Sequence, residues 1–226
     1  MCDIIWWGEL DMWIFDQTIT IDYVLTRILV VMVMVFGIFP LKQYMCAFVA
    51  NKLGDWTARA SGKLTINPLV HFDFLGAICM LFFTLGWPKS VPVNPVNFSK
   101  RKRDWFFTGI TSPLVHICAG IIGGFLFAIS RHFSVIMQTT FFNSFITFFI
   151  YLNVVCAAYD FLPIEPFKGL AIFQVFMSDN ALKWYYAHYY IVSFVLCMLL
   201  IFGFFNGFIN ITQSIIYNFI IKITAF

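Results

Sequence analysis

The stretch from Leu53 to Phe98 most constrains how this chain can fold, because four X-Pro dipeptides flank a short apolar segment within it. The apolar segment runs from Phe72 to Leu85. Proline lacks a backbone N–H and pushes the preceding residue toward extended conformations, so the stretch cannot be one continuous helix. We call residues 53–104 the insert. The dipeptides are Asn67-Pro68, Trp87-Pro88, Val91-Pro92 and Asn94-Pro95.

The rest of the chain is mostly apolar. Hydrophobic residues make up 61% of it and charged residues 11%, whereas a soluble domain is about 45–50% apolar and about 25% charged. The sequence therefore predicts an integral membrane protein. The formal charge of +3 is too small to indicate a nucleic-acid-binding protein.

The apolar runs predict an all-α polytopic membrane protein with about four full spans. These are residues 23–52, with a kink at Pro40 and Gly54 as C-cap, then 105–129, 141–158 and 184–208. The apolar part of the insert is too short for a span, at about 21 Å against about 30 Å of hydrocarbon. It is expected to be a short helix within an irregular or β-like insert.

Three segments are expected around these spans. Residues 1–22 are acidic and aromatic and predict an arm at the membrane interface. Residues 23–209 form the membrane domain, and residues 210–226 are expected to be an interfacial tail.

The basic residues predict the orientation of the spans. Eight of the fourteen Lys and Arg residues lie in or beside the insert, which places the insert on the cytoplasmic or matrix side of a bacterial plasma membrane or an organellar inner membrane. The N-terminus is then outside. Lys42–Cys46 and Tyr159–Gly169 reach the same face as the insert, so a site is expected there. The basic run Lys100, Arg101, Lys102 and Arg103 is expected to contact anionic lipid and to fix topology.

Four segments of the chain carry motifs in a specific order. They are AFVANKLGDWTARASGKLTINPLVHFDFLG (residues 47–76), GWPKSVPVNPVNFSKRKRD (86–104), TSPLVH (111–116) and YDFLPIEPFKG (159–169). Together they resemble the site-2 protease family, the intramembrane zinc metalloproteases, over roughly residues 24 to 200. The resemblance implies the transmembrane core of that family.

The resemblance also places the family's catalytic motifs on residues that do not suit their chemistry. HExxH falls on Lys42-Gln43-Tyr44-Met45-Cys46, and the aspartate of LDG falls on Lys168. A protonated lysine has no lone pair for Zn²⁺, and glutamine cannot act as a general base. We therefore predict a pseudoenzyme with no catalytic residue, in which zinc, the family's cofactor, is lost and no metal site remains.

Two interpretations of Lys42 and Lys168 stay open. Both ammonium groups could reach the nearby membrane interface. Alternatively, Asp160 and Glu165 pair with them and form an ion-pair clamp in place of the zinc crosslink.

His71 and Asp73 also have two interpretations. They could bind a metal with Cys46 and His116, or they could hydrogen-bond the irregular backbone of the insert, which we favour. In the second case they belong to a scaffold with Asn67, Pro68, Pro92, Asn94 and Pro95.

We expect the protein to act by binding, either as a structural or accessory subunit of a membrane protein assembly or as a holder of another protein's helix. Its expected partners are the lipid bilayer and other membrane subunits. The alternatives are an active intramembrane zinc metalloprotease with displaced ligands, and handling of a lipid or small molecule in the vacated cavity.

Overall fold

A computed structural model describes residues 21–131 and 140–224. The predicted interfacial arm therefore lies outside the described residues, except for its last two positions. The α-helices are α1 (Ile21–Val33), α2 (Phe39–Lys52), α3 (Thr57–Ala60), α4 (Pro68–His71), α5 (Phe74–Phe83), α6 (Arg101–Ser130), α7 (Thr140–Tyr159), α8 (Gly169–Phe173), α9 (Asp179–Ala187), α10 (Tyr189–Ile201) and α11 (Asn206–Thr224).

The all-α polytopic fold class is confirmed. Three helical stretches are long and apolar enough to cross a membrane: Ile21–Lys52, Arg101–Ser130 and Phe141–Tyr159. The region predicted as a straight fourth span differs, because α9 and α10 are bent by 86° at their junction. The α9–α10 region provides a fourth span only if the two bent helices are counted together as one span. Orientation in the membrane stays a prediction.

The first span changes its helical hydrogen-bond pattern just before Pro40, and the kink expected there stays a prediction. A π-helical segment, Met34–Ile38, joins α1 to α2, and Pro40 is the second residue of α2. Proline removes one helical hydrogen bond and crowds the carbonyl four residues earlier, and a wider π turn relieves that crowding. Helix α2 ends at Lys52, and Gly54 follows with a φ of +108°.

Helices α6, α7 and α11 pack closely. A Cβ atom at Gly120 would lie 2.7 Å from Ile220 Cδ1, and one at Gly124 would lie 2.7 Å from Thr224 Cγ2. Glycine therefore lets α11 approach α6, as in other membrane helix pairs. Ile220 is fully buried, so the C-terminal segment forms part of the helix core. Contact of the C-terminal segment with the membrane surface stays a prediction.

The insert is irregular rather than β-like. Within residues 53–104, all of which are described, it contains α3, α4, α5 and a 3₁₀ turn, Pro95–Asn97, and no strand. Arg27 Nε donates to the Leu81 carbonyl at 2.7 Å and so ties α1 to α5. The insert thus packs against the first span.

Candidate functional site

A buried ion pair lies between α2 and the end of α7. Lys42 Nζ is 3.2 Å from both carboxylate oxygens of Asp160, and the two side chains are 5% and 1% exposed. Lys42 Nζ also lies 5.3 Å from the centre of the Phe39 ring. The ammonium group therefore points into the protein and does not extend to the membrane interface.

Helix α6 completes the surroundings of the carboxylate. Ser112 Oγ donates to Asp160 Oδ2 at 2.7 Å, and His116 Nε2 lies 3.8 Å from the same oxygen. On its other side, His116 Nδ1 lies 3.0 Å from Asn153 Oδ1 of α7. All of these side chains are buried, and buried charges persist only where such partners surround them.

Sequence reasoning missed Ser112 and Asn153. Ser112 stands inside the TSPLVH motif, and Asn153 is a polar residue in an apolar span. Polar residues within membrane spans usually mark a functional or packing site. Attention to them would have located this network.

Gln43 and Cys46 join α2 to the insert. The backbone N–H of Val91 donates to Gln43 Oε1 at 3.4 Å. Cys46 is fully buried in a small apolar cluster that includes Ala58 and Val91. Both side chains therefore contribute to packing between the first span and the insert.

The part of the predicted ion-pair clamp that involves Lys168 and Glu165 is not formed. Among the described residues, neither Lys168 nor Glu165 belongs to an ion pair. Glu165 is exposed and accepts a hydrogen bond from the Tyr189 hydroxyl, which holds its carboxylate toward α10. Both side chains line a pocket of about 260 Å³ beside the Ser90–Val93 segment.

The side chains present at the family's ligand positions do not fit Zn²⁺. Lys42 and Lys168 offer ammonium groups, and the Lys42 ammonium is held by Asp160. Cys46 is the one soft donor among these three positions, whereas zinc sites use three or four donors. Within residues 21–131 and 140–224, no three His, Cys, Asp or Glu side chains are grouped as a metal site.

His71 and Asp73 contact backbone groups of the insert. His71 Nε2 lies 2.8 Å from the Thr65 carbonyl oxygen, and Asp73 caps α5 by accepting from the Gly76 N–H at 2.8 Å. The structure does not bring them together with Cys46 and His116 as a metal site. These contacts agree with a scaffold role.

The asparagines and prolines of the insert form two similar caps. Asn67 accepts from the Leu69 N–H at 3.1 Å, and Asn94 accepts from the Val96 N–H at 3.1 Å. Pro68 and Pro95 stand at the first helical position after each cap, where a missing N–H costs nothing. Pro92 lines the pocket beside Lys168.

Asp55 connects the two ends of the insert, and sequence reasoning missed it. Its buried carboxylate accepts from the Asn94 N–H at 2.7 Å, from Asn97 Nδ2 at 2.8 Å and from the Thr57 N–H at 3.1 Å, and the Thr57 hydroxyl donates as well. The available signal was its place in the LGDWTA motif. Asp55 therefore joins the start of the insert to the VNPVN segment.

Asp55 makes the insert sensitive to acid. Burial alone would raise the pKa of Asp55, but the hydrogen bonds from Thr57, Asn97 and Asn94 outweigh it and hold that pKa below its ordinary value. A lowered folded-state pKa stabilises the protein fully above the unfolded value of about 3.9, and this contribution is lost as pH falls through the folded pKa.

We expect Asp55→Asn to lower the melting temperature at pH 7 and to flatten its decline as the pH falls below about 4, as measured by thermal unfolding in mild detergent. Asp179→Asn removes an exposed carboxylate and serves as the control with a wild-type profile. Equal acid dependence of Asp55→Asn and wild type would contradict this role for Asp55.

The basic run at the start of α6 contacts the polar turn before α9. Lys102 Nζ lies 3.1 Å from Asp179 Oδ1 and donates to the Met177 carbonyl at 2.9 Å. Arg103 pairs with the buried Asp104 at 2.7 Å. Lys100 and Arg101 are exposed. Contact of this run with lipid stays a prediction.

The chain is similar to a curated protein over part of its length. The "Putative zinc metalloprotease YwhC" of Bacillus subtilis (strain 168) is 32% identical over 139 residues, which are 60% of this chain and 64% of that protein. The chain thus spans less than two thirds of the length of the curated relative. No protein-family model matches the chain, and no solved structure matches it.

Proposed function

We propose that this chain is a membrane protein of the site-2-protease-like family, that it is catalytically inactive, and that it works as a structural or accessory subunit of a membrane protein assembly. The observation that carries the proposal is the buried Lys42–Asp160 ion pair. In the family resemblance, Lys42 stands at the first zinc histidine and Asp160 at the asparagine before the LPIPP-type loop.

The ion pair supports a structural role because of the segments it joins. It links α2 to the Tyr159–Gly169 segment, which the family resemblance would join to α2 through zinc at the position of Lys168. A hydrolytic metal site needs about three protein ligands and a base that activates water. Gln43, at the position of that base, accepts a backbone hydrogen bond instead.

The surface of the last helices supports binding to another membrane component. Tyr190 is 84% exposed, Phe202 is 81% exposed and Phe204 is 72% exposed. Exposed aromatic side chains are frequent in contacts between proteins. In a membrane subunit these residues offer lateral contact area.

We expect the purified full-length protein to contain no stoichiometric zinc when its metal content is measured by mass spectrometry. The variant K42H/Q43E/C46H/K168D restores the family's ligand types and is the matched comparison, with zinc expected to rise toward one equivalent. About one zinc per wild-type chain, together with chelator-sensitive cleavage of a membrane-span substrate, would overturn the proposal in favour of an active protease.

The assembly role has its own test. Purification of the tagged protein from its native membrane in mild detergent should yield stoichiometric membrane protein partners. Isolation of a bare monomer under conditions that keep other membrane complexes intact would contradict an accessory role.

A further inference from the structure

An apolar groove borders the Tyr159–Gly169 loop, and its lining includes neither Lys42 nor Asp160. It has a volume of about 520 Å³, within the roughly 300–1,000 Å³ range of ligand pockets in proteins. The groove is bounded by the loop after α7, by α8, by α10 and by the turn before α11. Its lining includes Leu162, Phe173, Met177, Leu196, Phe205 and Phe208.

Basic side chains lie at one end of this groove. Lys102 Nζ donates to the carbonyl of Met177, a groove-lining residue, at 2.9 Å. Arg101 and Glu165 both lie within electrostatic range of the Tyr186 hydroxyl, and Tyr186 packs edge-on against Tyr185, another lining residue. An apolar groove with a cationic end is complementary to a molecule with an apolar tail and an anionic head.

Positive charge exceeds negative charge at that end. Asp104 is engaged by Arg103, and the exposed Asp179 is the carboxylate that pairs with Lys102. Lys100 and Arg101 belong to no ion pair among the described residues. With Glu165 counted as well, the four cations of residues 100–103 face three carboxylates, so one net positive charge stays available for an anionic group.

We propose that this groove binds one acyl chain of an anionic phospholipid, with the lipid phosphate held by Arg101 and by Lys102, whose exposed pairing with Asp179 is weak enough for the phosphate to replace it. The acyl chain would cover the apolar lining of the groove, and the cations would hold the phosphate as basic pockets do on membrane proteins. A helix is about 10–12 Å across with its side chains, so this volume would hold little more than one turn of a partner helix. The proposal does not depend on whether the chain cleaves peptide bonds.

The test uses the full-length protein and a defined lipid. Protein in zwitterionic detergent is titrated with dioleoyl phosphatidylglycerol, and bound lipid is counted by native mass spectrometry. We expect one tightly bound phosphatidylglycerol in wild type. In R101A/K102A we expect affinity to fall about 20-fold, since each basic residue near an anionic lipid contributes about a factor of five.

Two further variants distinguish binding of the lipid in the groove from nonspecific electrostatic attraction of the lipid to the protein. R59A/K89A removes two exposed cations of the insert away from the groove and is expected to keep wild-type affinity. Val192→Trp fills the groove and is expected to release the lipid while melting within a few degrees of wild type.

Several outcomes would overturn the proposal. They are an equal loss of lipid in R59A/K89A, equal binding of dioleoyl phosphatidylcholine, and retention of the lipid by a folded Val192→Trp. Formation of a dimer or a peptide complex that protects Phe173 and Phe205 from labelling, with no lipid bound, would assign the groove to a protein partner instead.

Discussion

Replacing Asp160 with alanine is expected to lower the free energy of unfolding by about 3–5 kcal/mol, because the change leaves the Lys42 ammonium buried without a counter-charge. The change also removes the acceptor of the Ser112 hydroxyl. The measurement is chemical unfolding in mild detergent micelles, followed by fluorescence of the chain's tryptophans.

A double variant separates charge pairing from loss of packing. Lys42→Met with Asp160→Leu removes both charges while keeping apolar volume, and it should recover most of the stability lost in Asp160→Ala, since paired apolar replacements of buried ion pairs are often neutral. Asp179→Ala breaks an exposed ion pair and should change stability by no more than about 1 kcal/mol. If Asp160→Ala were as stable as Asp179→Ala, the clamp would not stabilise the fold.

Replacing Gly76 with alanine is expected to have the other large effect. A Cβ atom there would lie 2.0 Å from the Trp87 carbonyl oxygen, because the chain after α5 folds back across this position. The obstacle is backbone, so a rotamer change cannot relieve it, and we expect destabilisation of at least about 1–3 kcal/mol. Limited proteolysis should show faster cleavage within the insert, and unfolding should occur at lower denaturant.

Gly37 provides the matched control for Gly76. It is also helical, but a Cβ atom at Gly37 would meet nothing within 4 Å. Gly37→Ala should be neutral or stabilising by up to about 1 kcal/mol, because alanine is the better helix former. Equal destabilisation by the two changes would show that the tight packing of the insert over α5 is not the cause.

The Lys42 and Lys168 positions illustrate how far sequence reasoning reached at the candidate site. The motif order located both lysines and named Asp160 and Glu165 as their possible partners. Only the tertiary structure separates the two pairs: Lys42 contacts Asp160, whereas Glu165 is held by Tyr189. The contacts depend on the side of each loop that faces the helices, and this is not encoded in the spacing of residues.

The α9–α10 region shows a similar limit for the fold. Its apolar composition predicted a single span, but the structure bends it by 86°. Hydropathy reports how apolar a segment is and says nothing of its direction. The C-terminal helix also packs against α6 through Gly120 and Gly124, a partnership between segments about 100 residues apart along the chain.

The sequence alone determined the membrane class and the interruption of helix by the X-Pro dipeptides. These follow from composition and from local covalent chemistry, which need no knowledge of distant contacts. The tertiary structure decided the Lys42–Asp160 pair, which joins residues 118 positions apart, and the four hydrogen bonds that make Asp55 the centre of the insert. Such choices depend on which surfaces meet when the helices pack, so they can be read only from the folded chain.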